Sequence, residues 1–181
     1  TCYACGTPLE AKKTVVTGPP VKLITSLEDK NPFNPGTVVE EHATDGKKAL
    51  RIDNNWASMV GPQDWTGYDF LKADLYTDSK TPMELYVELR DTATKDYWTR
   101  VNYNTVVPPG QSTVIVPVKQ MYVGEKSRPG RMLILNAVTH LVFSIGEKPA
   151  APLFIDNVRL ERDDSWQKGL FDGLYAFDFG S

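Results

Sequence analysis

Glu84 and Glu88 are the first residues whose types and spacing could do chemistry together. They lie on a run, Met83 to Arg90, in which Met83, Leu85, Val87 and Leu89 alternate with Glu84, Tyr86, Glu88 and Arg90. Alternation puts both carboxylates on one face of a β-strand, about 13 Å apart. Carboxylate pairs that hydrolyse glycosidic bonds stand about 5 to 9.5 Å apart, so this pair is not spaced for that work; a cross-strand pair stays open. His140 has no Ser or Cys nearby that suggests a triad, and the chain contains no G-x-S-x-G elbow, P-loop or dinucleotide fingerprint. Lyases on β folds use scattered Tyr, Arg and His. Tyr86, Arg90, Arg100, Tyr103 and His140 are the set from which such a site would be drawn.

Metal chemistry through soft ligands is poorly supplied. Cys2 and Cys5 form a C-x-x-C at the N-terminus, followed by Gly6. That is half of a zinc knuckle, but a closed zinc site needs four ligands. The other soft candidates are His42 and His140. A tail pair, oxidised or free, is the simpler reading. Oxidised, it would close too small a loop to stabilise a domain much.

The elements that must position these residues read as strands. Thirteen Pro and thirteen Gly punctuate short runs of alternating apolar residues, and helical periodicity is nearly absent. The runs are Val21 to Leu27, Thr37 to His42, Lys48 to Asp53, Tyr68 to Tyr76, Met83 to Arg90, Tyr97 to Asn104, Thr113 to Val118, Thr139 to Ile145 and Pro152 to Leu160. About nine half-buried antiparallel strands with turn signals between them predict an all-β sandwich. In the last run Leu153 and Ile155 share one parity, Val158 and Leu160 the other. Either a β-bulge lies near Asp156-Asn157 or the strand is buried on both faces there.

Length and composition agree with one domain. The chain has 181 residues, 41% hydrophobic and 24% charged, and 20 basic against 23 acidic residues give a net charge of −3. These values exclude disorder, collagen and coiled coil. No basic run tracks a phosphate backbone, so nucleic acid is not expected as a partner. No apolar stretch approaches the roughly 20 residues that cross a membrane. The N-terminus carries no signal-peptide pattern, as expected either of a chain from which one has been removed or of a trimmed piece of a longer protein. Residues 1–20, ending in Gly18-Pro19-Pro20, read as a linker, 21–161 as the sandwich, and 162–181 as an aromatic, glycine-rich tail or the start of another module.

Three segments resemble the jelly-roll carbohydrate-binding modules of the galactose-binding-like superfamily. ITSLEDKNPF (Ile24 to Phe33) is similar to the opening strand and its acidic turn. ATDGKKALRID (Ala43 to Asp53) is similar to the glycine turn and basic-apolar strand that follow. LFIDNVRLE (Leu153 to Glu161) is similar to the closing strand, and WTGYDFLKADLYTDS to the middle of such modules. The resemblance implies a non-catalytic module that targets a secreted polysaccharide-degrading enzyme to plant or algal glycan. Its partners would be a polysaccharide or oligosaccharide and the catalytic module of the same polypeptide. A monomer without membrane contact is expected.

Many such modules hold a structural calcium between the first and last strands. Carried over by position, Glu28 and Asp156 would give carboxylate oxygens. Lys30 and Lys48 would give carbonyls, with Asp45 or Asn157 as further candidates. Calcium takes six to eight hard oxygens, which a turn and a bulge can present.

Sugar rings stack on aromatic faces while polar side chains take the hydroxyls. The outward stripe of Glu84, Tyr86, Glu88 and Arg90, then Trp98, Arg100 and Asn102, suits that task, with His140 and Ser144 as extensions. Trp98 and Tyr86 would stack and the charged and amide groups would hydrogen-bond. The arginines would also admit an anionic glycan. Trp56, with Asn54 and Asn55, is read as a loop platform and ranked second to Trp98; Trp65 is read as a packing residue. Two other readings remain: a structural sandwich packed on a catalytic domain without binding sugar, and a small lyase or hydrolase.

Overall fold

The computed structural model describes residues 18–53, 56–123, 130–146 and 149–163. Cys2, Cys5, Asn54, Asn55 and the aromatic tail from Trp166 lie outside the described residues.

Thirteen strands run β1 (Val21–Thr25), β2 (Phe33–Asn34), β3 (Thr37–Val39), β4 (Ala49–Ile52), β5 (Trp56–Gln63), β6 (Phe70–Thr77), β7 (Met83–Asp91), β8 (Val101–Val107), β9 (Gly110–Pro117), β10 (Tyr122–Val123), β11 (Arg131–Met132), β12 (Val138–Ser144) and β13 (Leu153–Glu161). All pairings are antiparallel. One sheet runs β3-β4-β13-β6-β9, with β1 also on β13; a second runs β2-β5-β12-β7-β8, and β10 and β11 pair as a two-stranded ribbon. The result is the expected all-β sandwich, with no α-helix among the described residues.

Alternation builds the core. Leu50, Leu71, Leu75, Ile155 and Leu160 point inward from the first sheet. Leu85, Val87, Leu89, Leu141 and Phe143 meet them from the second. Each such side chain contributes about 1.5–3 kcal/mol on burial. Trp65 is fully buried, and its indole N–H donates to Gln63 Oε1 at 2.7 Å. It is a packing residue, as its sequence context implied.

The closing strand carries the bulge. Asp156 pairs with Asp74 but Arg159 pairs with Lys72, so one extra residue sits on β13, and Asn157 has φ of 48°. The insertion turns Val158 and Leu160 back into the core beside Leu153 and Ile155.

Two local departures from the alternation matter for the site. Trp56 is not on a loop: it opens β5, an interior strand. Gly61-Pro62 looks like a break in the sequence, yet the chain passes it as a bulge, because Val138 pairs with Gln63 and His140 with Val60. Residues 97–99 are not strand but a 3-10 turn. Asp96 caps it by accepting from Trp98 N at 3.0 Å, and Thr99 Oγ1 accepts from Asp96 N at 3.0 Å. Strand β8 therefore starts at Val101.

Candidate functional site: a groove on the five-stranded sheet

The outer face of the five-stranded sheet forms a grid fixed by register. Val60, His140 and Arg90 stand in one row. Asn34, Ser58, Val142, Glu88 and Asn102 make the next, and Trp56, Ser144, Tyr86 and Asn104 the third. Rows are about 6.6 Å apart along a strand and columns about 4.8 Å apart across strands. A cavity of about 720 Å³ lies over this grid. Trp56, Val60 and Val142 give it apolar surface; Asn34, Ser58, His140 and Ser144 give it neutral polar groups. Its far wall is Glu88, Arg90 and Arg100.

That wall is an ion triad. Arg90 Nε donates to Glu88 Oε1 and Arg100 Nη1 to Glu88 Oε2, each at 2.5 Å. Glu88 is only 9% exposed, so its charge is tolerable because both oxygens are paired. The Arg100 guanidinium also lies over the Tyr97 ring, 3.7 Å from its centroid. Both carboxylate oxygens of Glu88 are thus occupied by guanidinium donors.

His140 Nδ1 lies 3.0 Å from Thr139 Oγ1. Burial, then the Arg90 charge, holds its imidazole below the usual range against the opposing pull of Glu88. It is neutral at neutral pH and can both donate to and accept from a hydroxyl.

The predicted binding residues divide. Trp56, Glu88, Arg90, Arg100 and His140 line the groove. Trp98, the favoured platform, does not: it sits half-buried on the capped turn, edge-on to Tyr97 with centroids 4.8 Å apart. Tyr86 and Glu84 hold each other at the groove's margin, the phenol donating to Glu84 Oε2 at 2.6 Å, and Asn102 lies exposed toward the β8 edge. The groove also contains Asn34 and Ser58, which the sequence reading passed over because their strands were not recognised.

The predicted calcium ligands lie on the other sheet and do not fit a cation. Glu28 Oε1 accepts from the backbone N–H groups of Lys47 and Lys48, each at 2.7 Å. Asp156 Oδ2 accepts from Thr44 N at 2.7 Å and Asp45 N at 2.8 Å. The Lys48 ammonium donates to the Glu28 carbonyl at 2.6 Å, and Lys30 is exposed. Among the described residues no three or more His, Cys, Asp or Glu side chains gather as a metal site.

No protein-family model matches the sequence, and no curated protein matches it. Solved structures do match. A family 11 carbohydrate-binding module from Clostridium thermocellum, in complex with a β-1,3-1,4-mixed-linked tetrasaccharide, aligns with a TM-score of 0.58 at 11% identity, over 78% of this chain and 95% of that one. The chain has the fold of a carbohydrate-binding module. A second structure of a family 11 module, from a cellulosomal cellulase of the same organism, gives 0.59 at 11% identity over 81% and 97%. An agarase gives 0.58 at 12% identity, over 80% of this chain but 25% of the agarase. The match thus spans nearly all of each solved module and a quarter of the agarase chain. No described helix is long and apolar enough to cross a membrane.

Proposed function

We propose that the chain is a non-catalytic carbohydrate-binding module, and that a glycan chain lies in the groove with a sugar ring on Trp56. The observation that carries this reading is the groove's composition. An indole 43% exposed stands in register with Ser144, with Ser58 two residues along its own strand and a neutral His140 in the same groove, under a cavity of about 720 Å³. Such a surface offers a flat apolar face and several hydroxyl partners, which is what pyranose rings need. A preformed sheet face costs little ordering on binding.

The mixed-linked tetrasaccharide bound to the module of like fold makes β-glucan one candidate ligand, and the agarase makes agar-type galactan another. Attached to a secreted catalytic module, the domain would act by raising the local concentration of enzyme on its polymer. Its own lack of a hydrolytic role rests on the same-strand spacing of Glu84 and Glu88 and on the pairing of Glu88 by two arginines. Calorimetry with mixed-linked glucan and agar oligosaccharides tests the reading. Saturable binding to either class, without product formation, supports it; release of reducing or unsaturated ends by the isolated chain would replace it with an enzyme.

A further inference from the structure

The loop from Thr44 to Lys48 is clasped between the two ends of the chain's sandwich. Glu28, from the turn after β1, takes the amides of Lys47 and Lys48. Asp156, at the β13 bulge, takes the amides of Thr44 and Asp45 through Oδ2, with the Thr44 hydroxyl at 3.1 Å and its neighbour's Asn157 N–H on Oδ1 at 2.6 Å. Gly46, with φ of 77°, makes the clasp possible. A Cβ there would stand 2.6 Å from the Glu28 carboxylate. The third contact is the Lys48 ammonium on the Glu28 carbonyl oxygen.

Calcium binding would need these same oxygens turned toward one point. Here the carboxylates already face N–H donors, and Asp156 is 1% exposed and fixed by several of them. A carboxylate accepting two or three backbone amides is well satisfied in its charged form. The Glu28 carbonyl beside them already faces a positive charge. The three functions of a structural ion are all present in protein atoms: neutralising the acidic turn, drawing in a carbonyl, and tying the loop to the last strand.

We infer that this module dispenses with the structural calcium of the modules it resembles, and that the Lys48 ammonium and the loop amides of residues 44–48 tie the turn after β1 to the β13 bulge instead. The inference is independent of what binds in the groove.

The test compares thermal unfolding of the whole chain after treatment with EDTA and in excess calcium chloride, alongside titration with terbium(III) followed by its sensitised emission. The expected result is the same midpoint in both buffers and no saturable emission. A midpoint raised by roughly 5 to 10 °C, as a site saturated a hundredfold would give, or a one-to-one terbium signal displaced by calcium, overturns it. Lys48→Met should unfold at a lower temperature than the parent in either buffer; an unchanged midpoint would remove Lys48 from the account. The parent comparison stands whether or not the variant folds.

Discussion

Ser144 on β12 stands directly opposite Trp56 on β5, on the outward face of the sheet. The pairing sets a hydroxyl beside the one indole that lines the groove among the described residues. Register, a property of the backbone ladder, thereby fixes the spacing between the stacking surface and its nearest polar partner.

From this follows the contrast between two tryptophans. Trp56→Ala should weaken glycan binding at least about thirtyfold, the loss typical of an aromatic anchor worth about 2 kcal/mol. Stability should stay within about 0.5 kcal/mol, because the indole is exposed. Trp98→Ala should leave the affinity within about twofold, since Trp98 contacts Tyr97 outside the groove. Calorimetry on both variants, with unfolding midpoints as control, checks the pair.

Glu88 predicts a linked loss of stability and affinity. Glu88→Gln removes the charge that Arg90 and Arg100 share. The change should cost about 2 kcal/mol in denaturant unfolding and free both guanidinium groups to swing across the groove. A variant as stable as the parent would show that the triad contributes nothing net.

Asp91 predicts acid sensitivity. Its side chain is wholly buried and takes Arg131 at 2.5 and 2.9 Å, with backbone N–H bonds from Ile134 and Ala93 at 2.9 Å each. Burial would raise this carboxyl, but Arg131 and the two amides outweigh it and hold it below the usual carboxylate range. A lowered folded value means the unfolded chain binds the proton more readily. The contribution is therefore full above about pH 4 and lost as the pH falls through the lower folded value. Asp91→Asn should cost about 3–5 kcal/mol at neutral pH, because it strands Arg131, and should flatten the acid limb of unfolding midpoint against pH.

His140 predicts a pH profile for binding. Its depressed imidazole should keep affinity constant from about pH 8 down to the ordinary histidine value near 6.5 and change it only below that. His140→Gln should remove the acid change while retaining most neutral-pH affinity. A midpoint in the affinity profile above the ordinary value would contradict the placement of His140 beside Arg90.

Much of the fold was legible in the sequence because alternation is a local signal. Met83 to Arg90 and Thr139 to Ser144 show their inward and outward faces without help from neighbours, and the parity switch at Asp156-Asn157 offered the bulge as one of two readings, which the register decides. Strand β5 was not legible, since Gly61-Pro62 imitates a turn and only the pairing with β12 reveals a bulge. That one omission moved Trp56 to a loop and promoted Trp98. The capped turn was only half readable: Asp96 suits an N-cap, but Thr99 stands where the capping-box pattern asks for Glu or Gln, and the turn breaks the apparent strand that carried Trp98. The calcium expectation failed to find a site for a different reason. The carboxylates at 28 and 156 suit a cation, but backbone amides occupy their oxygens, and that competition has no sequence pattern of its own.

The most direct test is migration of the purified chain and its Trp56→Ala variant through native gels containing a panel of polysaccharides, with mixed-linked β-glucan, agar and a uronate polymer among them. The account predicts that at least one glycan retards the parent and that the variant runs as if no glycan were present. A folded parent retarded by no glycan, or a variant retarded as strongly as the parent, would contradict the groove as a sugar-binding site and favour the reading of a structural sandwich that binds no sugar.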